Sequence, residues 1–491
     1  MFAALEQGAT LSKDEFEARE PELRVRLLQA QRRLQGTRHG VVILVSGVET
    51  AGKSQVVNRL NEWFDTHGIE THAFWNESDE ETSRPPFWRY WRALPPRGRI
   101  ALMFGSWYTQ PLLARMNGEG DQRRFTQALR EIAAFERTLT QDGLILIKLW
   151  YHLPRHEIVA RLRAEAQHPD LALRGIAWGK QHLRHFGHFL QQVEHTLRLT
   201  HDAQAPWHLI DASDARHRDF TTGQVIAKEL ERHIKNAKNE PAPPPKRARG
   251  KRPANALDTL PLDRKLAPAL YDAQLQYWQR ELYQLSWRAY QNKQSTILAF
   301  EGWDAAGKGG VIRRLTHAMD ARLYQVNAIS EPSDEELARH YLWRFWRRVP
   351  RAGYFGIFDR SWYGRVLVER VEGLASEAQW RRAYDEINLF ERELCENGIL
   401  LLKFWLHISP EEQLRRFHER ERTPWKHHKI GPDDWRNRSK WRDYEAAVAD
   451  MLHHTNTRKA PWRLIAANDK KYARITVLKT VCQQLRKLLE N

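Results

Sequence analysis

Short apolar runs alternate along the chain with longer stretches whose apolar residues recur at helical spacing. Val41-Val42-Ile43-Leu44-Val45 and Thr296-Ile297-Leu298-Ala299-Phe300 have the length and residue types of buried strands. Ahead of the first run, Ser12 with Glu15 three residues on reads as a capped helix start, continued by Leu23, Leu27, Leu28 and Leu34. In the second half the pattern predicts a helix over 268–291, a strand over 324–329 and an amphipathic helix over 334–348. It then predicts a strand over 354–358 ending at Asp359, a helix over 379–397, and strands over 399–406 and 462–466. Strands that alternate with helices predict an α/β fold: a parallel sheet flanked by helices, with ligands at the carboxyl ends of the strands.

Both apolar runs deliver glycine-bounded loops. The first leads into Gly47-Val48-Glu49-Thr50-Ala51-Gly52-Lys53-Ser54, and the second into Gly302-Trp303-Asp304-Ala305-Ala306-Gly307-Lys308-Gly309-Gly310. A strand, a glycine-bounded loop with lysine and then a helix form a phosphate-binding P-loop. Backbone N–H groups turn inward, the helix N-terminus adds partial positive charge, and the lysine adds a full one. The first loop completes G-x-x-x-x-G-K-S. In the second, Gly309 stands where a Mg²⁺-touching hydroxyl is usual, so a metal there must lean on other ligands.

The two lysines are 308 − 53 = 255 positions apart, and the same offset recurs throughout. Arg89-Tyr90-Trp91-Arg92 aligns with Arg344-Phe345-Trp346-Arg347, and Ser106-Trp107-Tyr108 with Ser361-Trp362-Tyr363. Ala205-Pro206-Trp207 likewise aligns with Ala460-Pro461-Trp462. The chain is therefore a tandem duplication, expected as copies over 1–235 and 263–491. Between them, 236–262 reads as an extended Pro-, Lys- and Arg-rich linker.

Composition narrows the class. A net charge of +17 over 491 residues favours a polyanionic partner. The two cysteines, Cys395 and Cys482, lack metal-type spacing, and the default setting is reducing and cytoplasmic. No stretch approaches the roughly 18 apolar residues of a membrane span. Neither specific nucleic-acid binding nor membrane association is expected; homo-oligomerisation is left open.

The chemistry concentrates in the second copy. Phe355-Gly356-Ile357-Phe358-Asp359 has the form of a Walker-B strand whose terminal acid can hold Mg²⁺ beside phosphates, and Arg360 follows at once. Asp304, inside the P-loop, is a second candidate metal ligand or an acceptor-activating base. Arg415, Arg416, Arg420 and Arg422 precede Thr423-Pro424-Trp425-Lys426 and read as a basic lid. The expected catalytic residues are Asp304, Lys308, Asp359, Arg360, Arg415 and Arg420, with Asp304 and Asp359 on the metal. The expected phosphate-binding residues are Gly302, Gly307, Lys308, Gly309, Gly310, Arg365 and Lys426. In the first copy Asp359 becomes Phe104, Arg360 becomes Gly105, Asp304 becomes Glu49, Arg415 becomes Ala160, Arg420 becomes Glu165 and Lys426 becomes Leu171. The second copy is thus expected to be the enzyme and the first a degenerate structural or regulatory partner.

Glu301-Gly302-Trp303-Asp304-Ala305-Ala306-Gly307-Lys308-Gly309-Gly310, with Phe358-Asp359-Arg360-Ser361-Trp362-Tyr363, resembles the polyphosphate kinase 2 family, in particular its fused two-domain members. The resemblance covers nearly everything but the linker. It implies a thymidylate-kinase-like P-loop fold with a helical lid. It also implies Mg²⁺-dependent transfer (Mn²⁺ as a substitute) of the terminal phosphoryl group of inorganic polyphosphate to AMP, giving ADP. Competing expectations are an ATP-dependent nucleotide kinase, polyphosphate use with ADP or GDP as acceptor, and a basic polyanion-binding protein without catalysis.

Overall fold

The computed structural model describes residues 1–167, 183–236 and 256–490. The basic run 246–252 and Leu171 lie outside the described residues. Within the remaining part of the expected linker, Leu257 is buried, 3% exposed. The chain divides into two compact units. Among the described residues the first holds 1–77, 89–236 and 333–340, and the second holds 78–88, 256–332 and 341–490.

The first unit carries a sheet of five parallel strands: β1 (Val41–Gly47), β2 (Ile69–Ala73), β3 (Ile100–Phe104), β4 (Ile145–His152) and β5 (Trp207–Asp211), in the order β2-β3-β1-β4-β5. The second unit repeats the order with β6 (Thr296–Gly302), β7 (Tyr324–Ala328), β8 (Phe355–Asp359), β9 (Leu400–His407) and β10 (Trp462–Ala466), as β7-β8-β6-β9-β10. The P-loop strand is central in each sheet, and the chain crosses it between its third and fourth strands. This is the switch point at which parallel α/β sheets open a crevice for ligands. Burial accounts for the apolar runs: Val41 to Leu44 are 0% exposed, as are Ile297 to Phe300, because both faces of each sheet are covered.

The predicted helix starts hold. Ser12 accepts from the Glu15 N–H and Glu15 returns a bond to the Ser12 N–H, opening the helix Lys13–Gln35. The helix Pro268–Gln291 begins on its proline, whose missing N–H costs nothing in a first turn. The single helix expected over 334–348 is not formed. Two short helices, Asp334–Leu337 and Trp343–Trp346, take its place. The helical spacing of Tyr341, Leu342, Phe345 and Trp346 misled because Trp343 and Arg344 between them are buried too. A segment buried all round has no solvent face to define one straight amphipathic helix.

Each core encloses the same ion-pair network. In the second unit Lys403 Nζ donates to Glu391 Oε2 (2.7 Å) and to the Thr455 carbonyl (2.8 Å), while Tyr363 Oη (2.5 Å) and Trp362 Nε1 (3.0 Å) donate to Glu391 Oε1. In the first unit Lys148, Glu136, Thr200, Tyr108 and Trp107 make the same set. Burial raises the Glu391 carboxyl and lowers the Lys403 ammonium, opposed in both by the partner's charge. The network anchors the chain just beyond β3 and β8. Among the described residues no helix is long and apolar enough to cross a membrane.

Candidate active site

In the second unit β6 hands over to the P-loop at Gly302. A side chain there would put its Cβ 2.4 Å from the Leu406 carbonyl, so only glycine lets the loop leave beside β9. Ala305 (φ 61°) and Gly307 (φ 108°) curl the loop into the N-terminus of the helix Lys308–Thr316. Lys308 Nζ donates to the Gly302 (2.7 Å) and Trp303 (3.3 Å) carbonyls. Burial lowers its pKa; Asp304, Asp359 and Glu301 oppose the shift.

Asp359 ends β8, in register with Phe300 on β6. Among the described residues no hydrogen bond or ion pair engages its carboxylate, and Oδ2 lies 4.0 Å from where a Cβ on Gly309 would stand. The bare glycine thus opens the P-loop helix to the acid. Arg360 takes a left-handed backbone (φ 65°) and donates through Nη2 to Asp304 Oδ1 (3.2 Å). Burial works against its charge, but Asp304, Glu301 and Asp359 outweigh it and hold the guanidinium's pKa above the ordinary value. The other Asp304 oxygen accepts from Asn437 Nδ2 (2.9 Å), whose own Oδ1 accepts from Tyr444 (3.1 Å). Lys308, Asp304, Asp359 and Arg360 therefore converge at the carboxyl edge of the sheet.

The lid arginines divide. Arg416, 2% exposed, gives its guanidinium to the carbonyls of Ala305, Ala306, Ala467 and Asn468 and to Glu412. It locks the P-loop in place and has no donor facing outward. Arg415 on the same helix (Pro410–Glu421) is 61% exposed and paired with Glu412 and Glu419. Arg420 lies 4.0 Å from Asp434, and Lys426 is 2.6 Å from Glu419. Arg365 pairs with Glu369 (2.9 Å) over the Tyr341 ring. These four lie in carboxylate contacts, and Arg420 borders the Lys308 cluster through Asp434, which the charges of Asp304 and Arg360 also reach.

Sequence reading missed Glu301, Asn437 and the stack of Trp441 on Trp303 (3.7 Å, 10°). Glu301 stood inside the quoted motif and could have been flagged as an acid in an apolar strand. Nothing in the sequence pairs Asn437 with a loop 133 residues away.

The first unit repeats the scaffold with other residues at several of the candidate positions. Lys53 Nζ donates to the Gly47 (2.8 Å) and Val48 (2.9 Å) carbonyls, and Arg161 bonds the carbonyls of Thr50, Ala212 and Ser213 as Arg416 does their counterparts. Phe104 and Gly105 replace the acid and the arginine; a Cβ on Gly105 would meet the Phe74 carbonyl at 2.5 Å. Arg218 packs against the loop, donating to the Ala51 carbonyl and to Gln55. A cavity of about 610 Å³ in this unit, bordered by Glu6, Arg155, His156, Arg163 and Phe186, is lined by no residue of the P-loop.

Comparison with known proteins agrees with the duplication. The sequence profile of polyphosphate kinase 2 matches residues 10–238 and again 265–490. The chain is 44% identical over 488 residues to a polyphosphate:AMP phosphotransferase of Pseudomonas aeruginosa, covering 98% of both. It is 41% identical over 492 residues to one of Pseudomonas syringae pv. tomato, covering 99% of this chain and 98% of the relative. A crystal structure described as polyphosphate kinase 2 from Pseudomonas aeruginosa PA01 superposes over 100% of both chains with a TM-score of 0.90 at 42% identity.

Proposed function

The chain belongs to the polyphosphate kinase 2 family, and we propose that it transfers the terminal phosphoryl group of inorganic polyphosphate to AMP, giving ADP, in its second unit. The observation that carries the assignment to that unit is the convergence of Lys308, Asp304, Asp359 and Arg360 around one loop, where the first unit offers Phe104 and Gly105. The full-length relatives named for this reaction support the substrates.

An AMP phosphate oxygen attacks the terminal phosphorus, the bond to the bridging oxygen breaks, and the polyphosphate leaves one unit shorter. Lys308 exchanges its two loop carbonyls for phosphate oxygens, and the N–H groups opening its helix face the same charge. Arg360, its charge secured by the surrounding acids, neutralises the equatorial oxygens of the group in transit. Asp359, free to coordinate, and Asp304, once Arg360 turns to phosphate, form a hard oxygen donor pair that fits Mg²⁺, with Mn²⁺ as a substitute. The ion would supply charge neutralisation on the phosphates. Arg415, Arg420 and Lys426 stand on or beside the lid helix in carboxylate contacts and would turn to phosphate as a lid closes. A reducing cytoplasmic setting belongs to the same reading, with Cys395 and Cys482 both free thiols.

The test is product formation from AMP, Mg²⁺ and polyphosphate with no ATP. ADP is expected, and it should vanish in Asp359→Ala. Turnover with ATP alone would make the protein an ordinary nucleotide kinase. Binding without product from either donor would favour the polyanion-binding alternative.

A further inference from the structure

Two buried carboxylates hold the stretch Asp359-Arg360-Ser361-Trp362-Tyr363. Glu391 takes Trp362 and Tyr363. Glu301, 5% exposed near the end of β6, takes Ser361: its Oε1 accepts from both the Ser361 N–H (2.7 Å) and the Ser361 hydroxyl (2.7 Å). One residue earlier, the Arg360 N–H donates to the Phe300 carbonyl (3.1 Å). The turn that aims Asp359 and Arg360 is thus pinned to β6 at two consecutive amides.

That turn needs pinning because Arg360 sits at φ 65°, a left-handed backbone that strains any residue with a side chain. In the first unit Gly105 takes the same conformation at φ 81° without that cost. The residue matching Glu301 there is Ser46, and the Ser106 N–H turns instead to Thr109 Oγ1 (3.2 Å). The second carboxylate behaves differently: Glu136 keeps the whole Glu391 network. Of the two acids gripping this stretch, one is present wherever the fold is, and the other only where Asp359 and Arg360 are.

We propose that Glu301 is a positioning residue for phosphoryl transfer, acting through Ser361 to hold Arg360 and Asp359 in their strained, outward-facing turn. Its carboxylate also lies close enough to Lys308 and Arg360 to help balance their charge before phosphate arrives. The proposal rests on the functional reading above and adds to it a residue that touches no substrate.

The experiment is a double-mutant cycle in the full chain. Glu301→Ala is expected to lower kcat roughly a hundredfold, the scale of a small misplacement of catalytic groups, with the KM for polyphosphate within about threefold. The Glu301→Ala, Arg360→Ala double variant should lose clearly less than the product of the two single losses, because the clamp acts in part through the arginine and in part through Asp359. Glu301→Gln, which keeps an acceptor oxygen, should recover part of kcat. Additive losses, or a wild-type kcat in Glu301→Ala, overturn the proposal. If Glu301→Ala does not fold, Ser361→Ala removes one of the two bonds and enters the same cycle with the same expectations. Hydrogen exchange over 359–363 reads the clamp without any reaction. Faster exchange in the variant is expected and unchanged exchange overturns the clamp, even if the wild type makes no ADP and the functional reading itself fails.

Discussion

The two units hold their P-loop lysines alike, each on the two carbonyls that open its loop, and lock those loops alike, through Arg161 in one and Arg416 in the other. Both bury a Lys–Glu–Tyr–Trp network behind the next strand. They part company around the P-loop: Ser46, Ser54, Phe104 and Gly105 against Glu301, Gly309, Asp359 and Arg360. A single chain therefore carries its own control. What both units keep is what the sheet and loop require; what only the second keeps is what the proposed chemistry would use. A complete P-loop motif stays on the first side of that line, since a lysine and a helix N-terminus can form without an acid to hold a metal.

The largest effect expected from this comparison is on turnover. Lys308→Ala or Asp359→Ala should cut kcat/KM on the order of 10³-fold or more, whereas Lys53→Ala should keep most of it. Steady-state ADP formation by the three variants decides it, and comparable losses from Lys53→Ala and Lys308→Ala would sink the division of labour.

The shared network should respond symmetrically instead. Glu391→Gln and Glu136→Gln each leave a buried lysine without its counter-charge, which costs roughly 3–5 kcal/mol. Calorimetric unfolding should show losses of similar size for both variants. A much smaller loss for Glu136→Gln would mean that the first unit has begun to lose its fold as well as its site.

Less of the site than of the fold was legible in the sequence, for a physical reason. Strands announced themselves because burial on both faces demands continuous apolar runs, and the P-loop did so because its turn demands glycine. Lys308, Asp304, Asp359 and Arg360 could be read because each sits inside such a run or at its end. Arg415 and Arg416 could not be sorted, since neighbouring charges on one helix point about 100° apart and only packing decides which turns inward. Asn437 was invisible, because its contact depends on tertiary closure of helices far along the chain.

A smaller difference lies beneath the P-loop. His407 accepts at Nδ1 from both Trp303 (3.1 Å) and Trp405 (3.3 Å), leaving that nitrogen no room for a proton, whereas Phe2 stacks on His152 and Glu6 bonds its Nε2. Burial lowers the His407 pKa from 6.5 to about 4. The folded state thus binds this proton less readily than the unfolded chain. The contribution is full above the unfolded pKa, falls by about 3 kcal/mol as pH drops from 6.5 to about 4, and is constant below. Denaturant unfolding across that range should show the decline, and His407→Gln should flatten it. An equal slope in the variant would assign the decline to other groups.

The smallest expected effect bears on why the second unit gave up the P-loop hydroxyl. Gly309→Ser restores the residue that Ser54 supplies in the first. The new Cβ would stand 4.0 Å from Asp359 Oδ2, an ordinary contact, and serine replaces glycine in a helical first turn, so stability should change by no more than about 0.5 kcal/mol. If Asp359 has taken over the metal-facing role of the missing hydroxyl, adding one back supplies a redundant donor. The Mg²⁺ concentration for half-maximal rate should then fall by less than about threefold while kcat stays near wild type. A large loss of kcat would instead mean that the open face of Gly309 is needed by the phosphate chain itself, and the exchange of hydroxyl for acid between the units would be a matter of space rather than of ligand.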